Sequence, residues 1–439
     1  TFTYEMALAR DVDAGINSNQ YPEHFTWNFL NNGRGHGSWY FDGWDIIKTN
    51  GIPNVVDYGG MSTPHPYRKW ISGYDKYYNG LSNRTLEYFS VTLDSSQGFE
   101  TLKQWFDNHG QGDATGGLVN FACNIHNSTW DTLSSDSSHS GDQVITAFGD
   151  SGYHAMTFVG YDDTVKYDYN GDGLYTNNVD INGDGVVDVK DWEIGAVILA
   201  NSWGTSWGDN GFAWVPYSVL AHNRNEGGIT NKKVYMLKVT PTTTVTAALK
   251  VSIKHSMRNK IQLQAGVASS ESATTPEYTK LFKAFYFDGG PYPMNGEDDT
   301  PIEIALDVSD ILAQIGDENA KKFFLIVKES DSSSEATGEV VSLSLMDYTD
   351  GVKEVQGQKN VAIANNTTTY VSVKRSGDTT DCFTDTNLNH VTNGRAYYTL
   401  GFFGWGYYAV GSFNFMGYFP LTTTSLTKVN DYYYTLGCN

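Results

Sequence analysis

His154 stands at the head of an apolar run, Ala155-Met156-Thr157-Phe158-Val159-Gly160-Tyr161, and Asn201 directly follows another, Ile194 to Ala200. Each run has the length and composition of a buried strand. Paired side by side, two such strands set an imidazole beside a side-chain amide. That arrangement has a chemical use. A thiol attacks a peptide carbonyl well only as thiolate, and a neighbouring imidazole stabilises the ion pair. The imidazole needs a third group to fix its orientation and tautomer, and an amide oxygen accepting the other ring N–H does this. Trp203, just past Asn201, is placed to cover that hydrogen bond and keep water off it.

The two segments are Gly152-Tyr153-His154-Ala155-Met156 with its continuation to Tyr161, and Asn201-Ser202-Trp203-Gly204-Thr205-Ser206-Trp207-Gly208-Asp209-Asn210-Gly211-Phe212. Together they resemble the histidine and asparagine motifs of the papain-like cysteine peptidases, of the bacterial secreted type. The resemblance implies His154 as proton shuttle, Asn201 as its orienter, and Trp203 and Trp207 as support. It implies an α+β domain with a helical subdomain and a β-barrel-like subdomain. It also implies a cysteine opening a long helix, with a glutamine a few residues earlier for the oxyanion hole.

The chain opens Thr1-Phe2-Thr3-Tyr4-Glu5-Met6-Ala7-Leu8-Ala9-Arg10, with Phe2, Met6 and Ala9 at helical spacing. This resembles the later turns of that nucleophile helix. The nucleophilic cysteine and its glutamine are expected roughly ten residues or fewer before Thr1. With Thr rather than Met first, the chain reads as an N-terminally trimmed or incomplete product. Cys123 lies in the strand-like run Gly117 to Asn124, where a free cysteine is a small buried hydrophobe rather than a nucleophile. A glycine loop, Gly33-Arg34-Gly35-His36-Gly37-Ser38-Trp39, precedes a helical pattern from Tyr40. The resemblance gives Gly35 and Gly37 contact with the substrate backbone, since glycine permits close approach. The other reading is an ordinary loop before a helix.

Between Tyr161 and Asn201 lies an acidic insert, residues 163–193, that repeats D-x-N-x-D-G twelve residues apart. Calcium takes six to eight oxygen ligands, and this spacing wraps oxygens around one ion. The second loop offers Asp180, Asn182, Asp184, the Val186 carbonyl, Asp188 and, at its twelfth position, Asp191, with Gly185 at the sharp turn. The first offers Asp168, Asn170, Asp172 and the Leu174 carbonyl, but its twelfth position is Val179. The pattern resembles dockerin and EF-hand loops and implies structural Ca2+ that steadies the strand delivering Asn201. Without an ion, the carboxylates would repel one another in a solvated loop.

The 439 residues suggest two or three domains. A net charge of −21 and a pI near 4.7 leave no basic stripe for nucleic acid. No apolar run approaches the roughly 20 residues of a membrane span. Residues 1–240 form the peptidase-like domain, helical to about residue 110 and strand-rich from Gly117, closed by a strand at Val234–Val239. After the Thr240-Pro241-Thr242-Thr243-Thr244 linker, residues 246–375 alternate as strands do. Leu249–Ile253, Ile302–Leu306, Phe323–Val327 and Val340–Leu345 are the clearest, which predicts a β-sandwich of jelly-roll type. Residues 382–438 form a small module bracketed by Cys382 and Cys438, resembling C-terminal appendages of secreted bacterial hydrolases. A disulfide between these two would stabilise so small a module by roughly 4 kcal/mol and implies an extracellular setting. His390 and Arg395 within it read as fold-defining contacts.

Two functions follow from different classes. One is a secreted papain-like cysteine endopeptidase acting on protein or peptide substrates by acyl transfer, its nucleophile upstream of Thr1, in the same chain or on a separate N-terminal peptide. The other is a catalytically inactive surface, matrix or adhesion protein that reuses the fold and is stabilised by calcium. The residue opening the helix before Thr1 discriminates them.

Overall fold

The chain begins in helix α1 (Phe2–Arg10), which buries Phe2, Glu5, Met6 and Ala7. Ala9, expected on the apolar face, is exposed, and a glutamate takes the buried place instead. The helix stops at Asp11, whose left-handed backbone (φ 53°) turns its N–H back onto the carbonyls of Ala7 and Leu8. The computed structural model describes residues 1–60, 65–333, 335–376, 382–401, 404–430 and 433–437. It divides into two units, Thr1–Thr244 with Asp288–Gly290, and Val245–Phe287 with Pro291–Asn439.

In the first unit α1 is followed by α2 (Glu23–Leu30), α3 (Tyr40–Asn50), α4 (Val55–Tyr58) and α5 (Tyr74–Gly80). A strand, β1 (Arg84–Thr92), then interrupts the stretch expected to be helical. Only Thr85 of it is buried, and Leu86 and Phe89 are exposed, so it lacks the apolar alternation that marks a half-buried strand. Helix α6 (Ser96–Asn108) starts where Ser95 Oγ accepts from Gly98 N–H, and buries Phe99, Leu102 and Trp105 at helical spacing.

Strands β2 (Val119–His126), β3 (Thr129–Thr132), β4 (Gln143–Ala147), β5 (Ser151–Lys166), β6 (Ile194–Ala200) and β7 (Phe212–Pro216) follow, then α7 (Tyr217–Leu220) and β8 (Lys233–Thr240). They form one sheet in the order β1-β8-β2-β5-β6-β7-β4-β3. The sheet is open, not barrel-like as expected. Its edge β3 is short and exposed along its whole length, with no apolar face to drive closure. Strand β5 is central. It pairs with β2 in the register Val119↔Phe158 and Cys123↔His154, and with β6 in the register Thr157↔Ala200, ending at Lys166↔Ile194. Phe121 and Phe158 stack in parallel with centroids 3.9 Å apart, fully buried under this sheet.

The second unit contains β9 (Ala247–His255), β10 (Ile261–Ala268), β11 (Tyr278–Tyr286), β12 (Ile302–Asp307), helix α8 (Ser309–Ile315), β13 (Lys322–Glu329), β14 (Gly338–Asp347), β15 (Lys353–Ala362) and β16 (Thr368–Lys374). They build two four-stranded antiparallel sheets, β11-β10-β13-β16 and β12-β9-β14-β15, the arrangement of a β-sandwich. Leu249, Val251 and Ile253 of β9 point inward, while Lys250, Ser252 and Lys254 alternate outward.

The same unit holds the tail, with β17 (Cys382–Thr386), α9 (Asn387–Thr392), β18 (Ala396–Gly401), β19 (Gly404–Ala409), β20 (Phe415–Gly417), β21 (Thr423–Asn430) and β22 (Tyr433–Leu436) in two three-stranded sheets. His390 is fully buried there. Arg395 Nε donates to its Nδ1 at 3.0 Å, so the opposite nitrogen carries the proton given to the Thr424 carbonyl at 3.0 Å. Cys438 and the side chain of Cys382 lie outside the described residues.

Replacing Phe158 by alanine opens a cavity under the central strand and should destabilise the first unit by about 3–5 kcal/mol. Denaturant unfolding followed by tryptophan fluorescence reads that unit, because every tryptophan except Trp405 precedes residue 244.

Candidate active site

His154 sits on β5, four positions into the strand, and Asn201 is the first residue after β6. The hairpin from β6 to β7 closes with Ala200 opposite Phe212, and Asn201 N–H donates to the Gly211 carbonyl at 3.0 Å. The loop between is wound tightly. Gly211 N–H reaches the Trp207 carbonyl, and Gly208 has φ 51° with the Phe212 carbonyl oxygen 2.2 Å from where a Cβ would stand. Only glycine fits at that position. The winding fixes Asn201 at the loop's base.

The structure places His154 Nε2 3.0 Å from Asn201 Oδ1. An amide oxygen accepts, so Nε2 carries the hydrogen and Nδ1 keeps a lone pair. Trp203 stacks over the imidazole with centroids 4.8 Å apart and planes 28° from parallel. Its outer face is open to solvent, so one side of the ring shields the pair while the other meets water. Asn201 Nδ2 is buried beside this pair. Trp207 does not touch His154; it packs edge-on against Trp130 at 5.2 Å and against the sheet core.

A cavity of about 540 Å³ runs from the start of α1, at Thr1 and Phe2, to Ala155 beside the imidazole. Ser38, Trp39 and Tyr40 line it; Gly35 and Gly37 do not, and both lie exposed in the preceding loop. Trp39 meets Tyr153, the neighbour of His154, edge-on at 5.3 Å, and Arg224 lies over the Tyr153 ring at 4.7 Å. The sequence reading missed Trp39 and Tyr153. Their only signal was adjacency, one to the glycine loop and the other to His154. Cys123 is fully buried among apolar side chains, and burial pushes its thiol far above the usual range. It is held protonated and out of reach of substrate.

The insert's two loops fold alike. In the first, Asp168 accepts from Gly171 and Gly173 N–H, Asn170 from Asp172 N–H, and Asp172 from Leu174 N–H. In the second, Asp180 accepts from Gly183 and Gly185, Asn182 from Asp184, and Asp184 from Val186. Asp191, fully buried, accepts from Ile181 N–H at 3.1 Å and Asp188 N–H at 2.9 Å. Asp188 in turn accepts from Lys190 N–H. Glu193, which the sequence reading overlooked, does for the first loop what Asp191 does for the second, accepting from Tyr169 N–H at 3.1 Å and Thr176 N–H at 3.0 Å. Val179, at the first loop's twelfth position, is exposed. Among the described residues no group of three or more His, Cys, Asp or Glu side chains converges as around a metal. Nor, among them, is any helix long and apolar enough to cross a membrane.

No protein-family model matches the chain, and no curated protein does. Solved structures similar to it include two bacterial cysteine proteases. Xylellain, a cysteine protease from Xylella fastidiosa, is 18% identical, over 55% of this chain and 79% of its own, with a TM-score of 0.33. The clostridial cysteine protease Cwp84, after propeptide cleavage, is 11% identical, over 84% of this chain and 92% of its own, with a TM-score of 0.29.

The His154–Asn201 bond has a direct spectroscopic consequence. In the unaltered chain, ¹⁵N-histidine spectra should show His154 as the Nε2–H tautomer alone at a pH where the ring is neutral. In Asn201→Ala the ring should populate both tautomers. In Trp203→Ala the tautomer should persist while its Nε2 proton exchanges faster with water.

Proposed function

We propose that the first unit is the body of a papain-like cysteine endopeptidase whose nucleophilic cysteine is supplied by a residue N-terminal to Thr1. The observation that carries this reading is the His154–Asn201 pair under Trp203, on the strand whose next residue, Ala155, lines the cavity that Thr1 and Phe2 of α1 also line. The thiol would pass its proton to His154 Nδ1, the nitrogen whose lone pair the Asn201 bond leaves available, and the sulfur would attack the peptide carbonyl. Collapse of the tetrahedral intermediate breaks the C–N bond as the imidazolium returns its proton to the leaving amine. Water, deprotonated by the same imidazole, then releases the acyl group as a carboxylic acid and restores the thiol. A glutamine shortly before the cysteine would donate to the oxyanion.

The proposal extends to the insert and the compartment. Asp168, Asn170 and Asp172 would hold one structural Ca2+ with the Leu174 carbonyl. Asp180, Asn182, Asp184, Asp188 and Asp191 would hold another with the Val186 carbonyl. The donor set is oxygen throughout, and each loop already has the curled backbone that such a ligand set needs. The ion would neutralise carboxylates that otherwise repel. Calcium loops, together with the Cys382 and Cys438 bracket, favour secretion and a protein or peptide substrate outside the cell.

Expression together with the coding segment that precedes Thr1 tests the enzyme. A thiol in that segment, labelled by a thiol-directed epoxide with loss of peptide hydrolysis, is the expected result. His154→Ala should then lower kcat by on the order of 10⁴-fold, and Asn201→Ala by about 10²-fold. Absence of such a thiol, or hydrolysis unaffected by its alkylation, overturns the reading in favour of an inactive scaffold.

Calcium at about 100-fold over its dissociation constant should raise Tm by about 5–10 °C relative to chelator. Asp180→Ala should remove most of that rise. An identical Tm with calcium and chelator sinks the metal proposal.

A further inference from the structure

Away from His154, α1 turns its other flank to a second cavity, of about 560 Å³, where Leu8 and Ala9 face Leu86 of β1 and Leu237 of β8. Its wall holds a cluster of charge that the proposed reaction does not use. Glu5 is 4% exposed. One carboxylate oxygen accepts from Leu118 N–H at 2.9 Å, and the other lies 3.0 Å from His109 Nε2. The opposite ring nitrogen, Nδ1, is 3.1 Å from Asp113 Oδ2, close in distance though not aligned as a hydrogen bond. An imidazole between two carboxylates is a proton trap.

The surroundings hold the ring in place. His109 caps α6 in the left-handed region, φ 55°, and Trp105 of that helix meets the ring edge-on at 4.7 Å. Gly117 is so close that a Cβ there would stand 2.7 Å from His109 Nε2. From α1, Tyr4 OH also donates to the Gly116 carbonyl at 3.0 Å. Across the cavity the charged groups are Glu87 of β1 and Lys238 of β8, paired with each other at 3.4 Å. The segment gripped, residues 109–118, leads straight into β2, which pairs with β5 at Cys123↔His154.

We propose that Glu5 and His109 are positioning residues, a proton-dependent clasp that fixes α1 against the segment leading into β2, the neighbour of the strand bearing His154. The clasp itself stands apart from catalysis; only its consequence, alignment of a nucleophile with His154, rests on the peptidase reading.

The hydrogen bond to Glu5, then the charges of Glu5 and Asp113, hold the ring's pKa above its ordinary value against the opposing effect of burial. The folded pKa therefore exceeds the unfolded one, near about 6.5. The stabilisation is full below the unfolded value and fades as pH rises through the higher folded value. Protonation adds charge to the clasp, and the neutral ring still donates from Nε2 to Glu5, so the hold weakens as pH rises without being lost.

Histidine-labelled full chain, titrated by NMR from about pH 5 to 9, tests this without any assay of hydrolysis. His109 should titrate above a peptide histidine, and the His154 resonances should show a second inflection at the His109 midpoint. Glu5→Gln should lower that midpoint, and the exposed-side change Asp113→Asn should lower it less. The fall in Tm from mild acid to mild alkali should shrink in both. His109→Gln should erase the second inflection. Should it fail to fold, Asp113→Asn still decides, because its half-exposed side chain is not needed for the core. A His109 midpoint at or below that of a peptide histidine overturns the clasp. A His154 signal indifferent to His109 overturns its positioning role even if the pair is real. Loss of peptidase activity alone would touch neither result.

Discussion

A slip of β6 by one residue along β5 would turn Asn201 away from His154 and swing Val197 and Leu199 to the opposite face of the sheet, into a cluster packed for Ala196 and Ile198. The chemistry of the cleft is therefore tied to the burial of an ordinary sheet. Val197, Leu199 and Phe158 are fully buried in one cluster and Ala196 in another on the opposite face, so a one-residue slip mismatches both packed faces. At roughly 1.5–3 kcal/mol for each large apolar side chain, the core outweighs the single imidazole–amide bond several-fold. The site is consequently held by the sheet and does not itself hold the sheet. Trp203 adds the second constraint by drying a bond that water would weaken.

Two helices flank this sheet to different purpose. Helix α6 buries Phe99, Leu102 and Trp105 and ends on His109. Helix α1 is anchored by charge as well as by Phe2 and Met6, because the buried Glu5 takes its partners from residues far along the chain, His109 and Leu118. A carboxylate so placed is costly unless fully bonded, and both its oxygens are.

What the sequence disclosed follows from how local each signal is. Strands β5, β6 and β13 were legible because continuous apolar runs report burial on both faces, and β9, β12 and β14 because apolar residues recur at every second position. Strand β1 was not, since an edge strand with Leu86 and Phe89 outward carries no such pattern. Glu5 went unremarked and Ala9 was placed on the apolar face, because helical spacing knows nothing of a partner a hundred residues away. Trp39 entered the cleft while Gly35 and Gly37 stayed outside, a matter of how the loop is wound rather than of composition. The insert's repeat was plain from spacing alone. The role of Glu193 was hidden, since it serves the first loop from beyond the second.

The insert leaves the sheet at Lys166 and returns at Ile194, two residues that face each other across the β5–β6 ladder. Its ends are thus already joined by the sheet, and the entropy of closing such a loop grows only with the logarithm of its length. Length at this point is nearly free. The segment behaves as a cartridge seated in a hairpin tip, exchangeable for a short turn or for another repeat while β5 and β6 keep their pairing. A lineage carrying this sheet can thus acquire or discard such a segment in one step, with no change to His154 or Asn201.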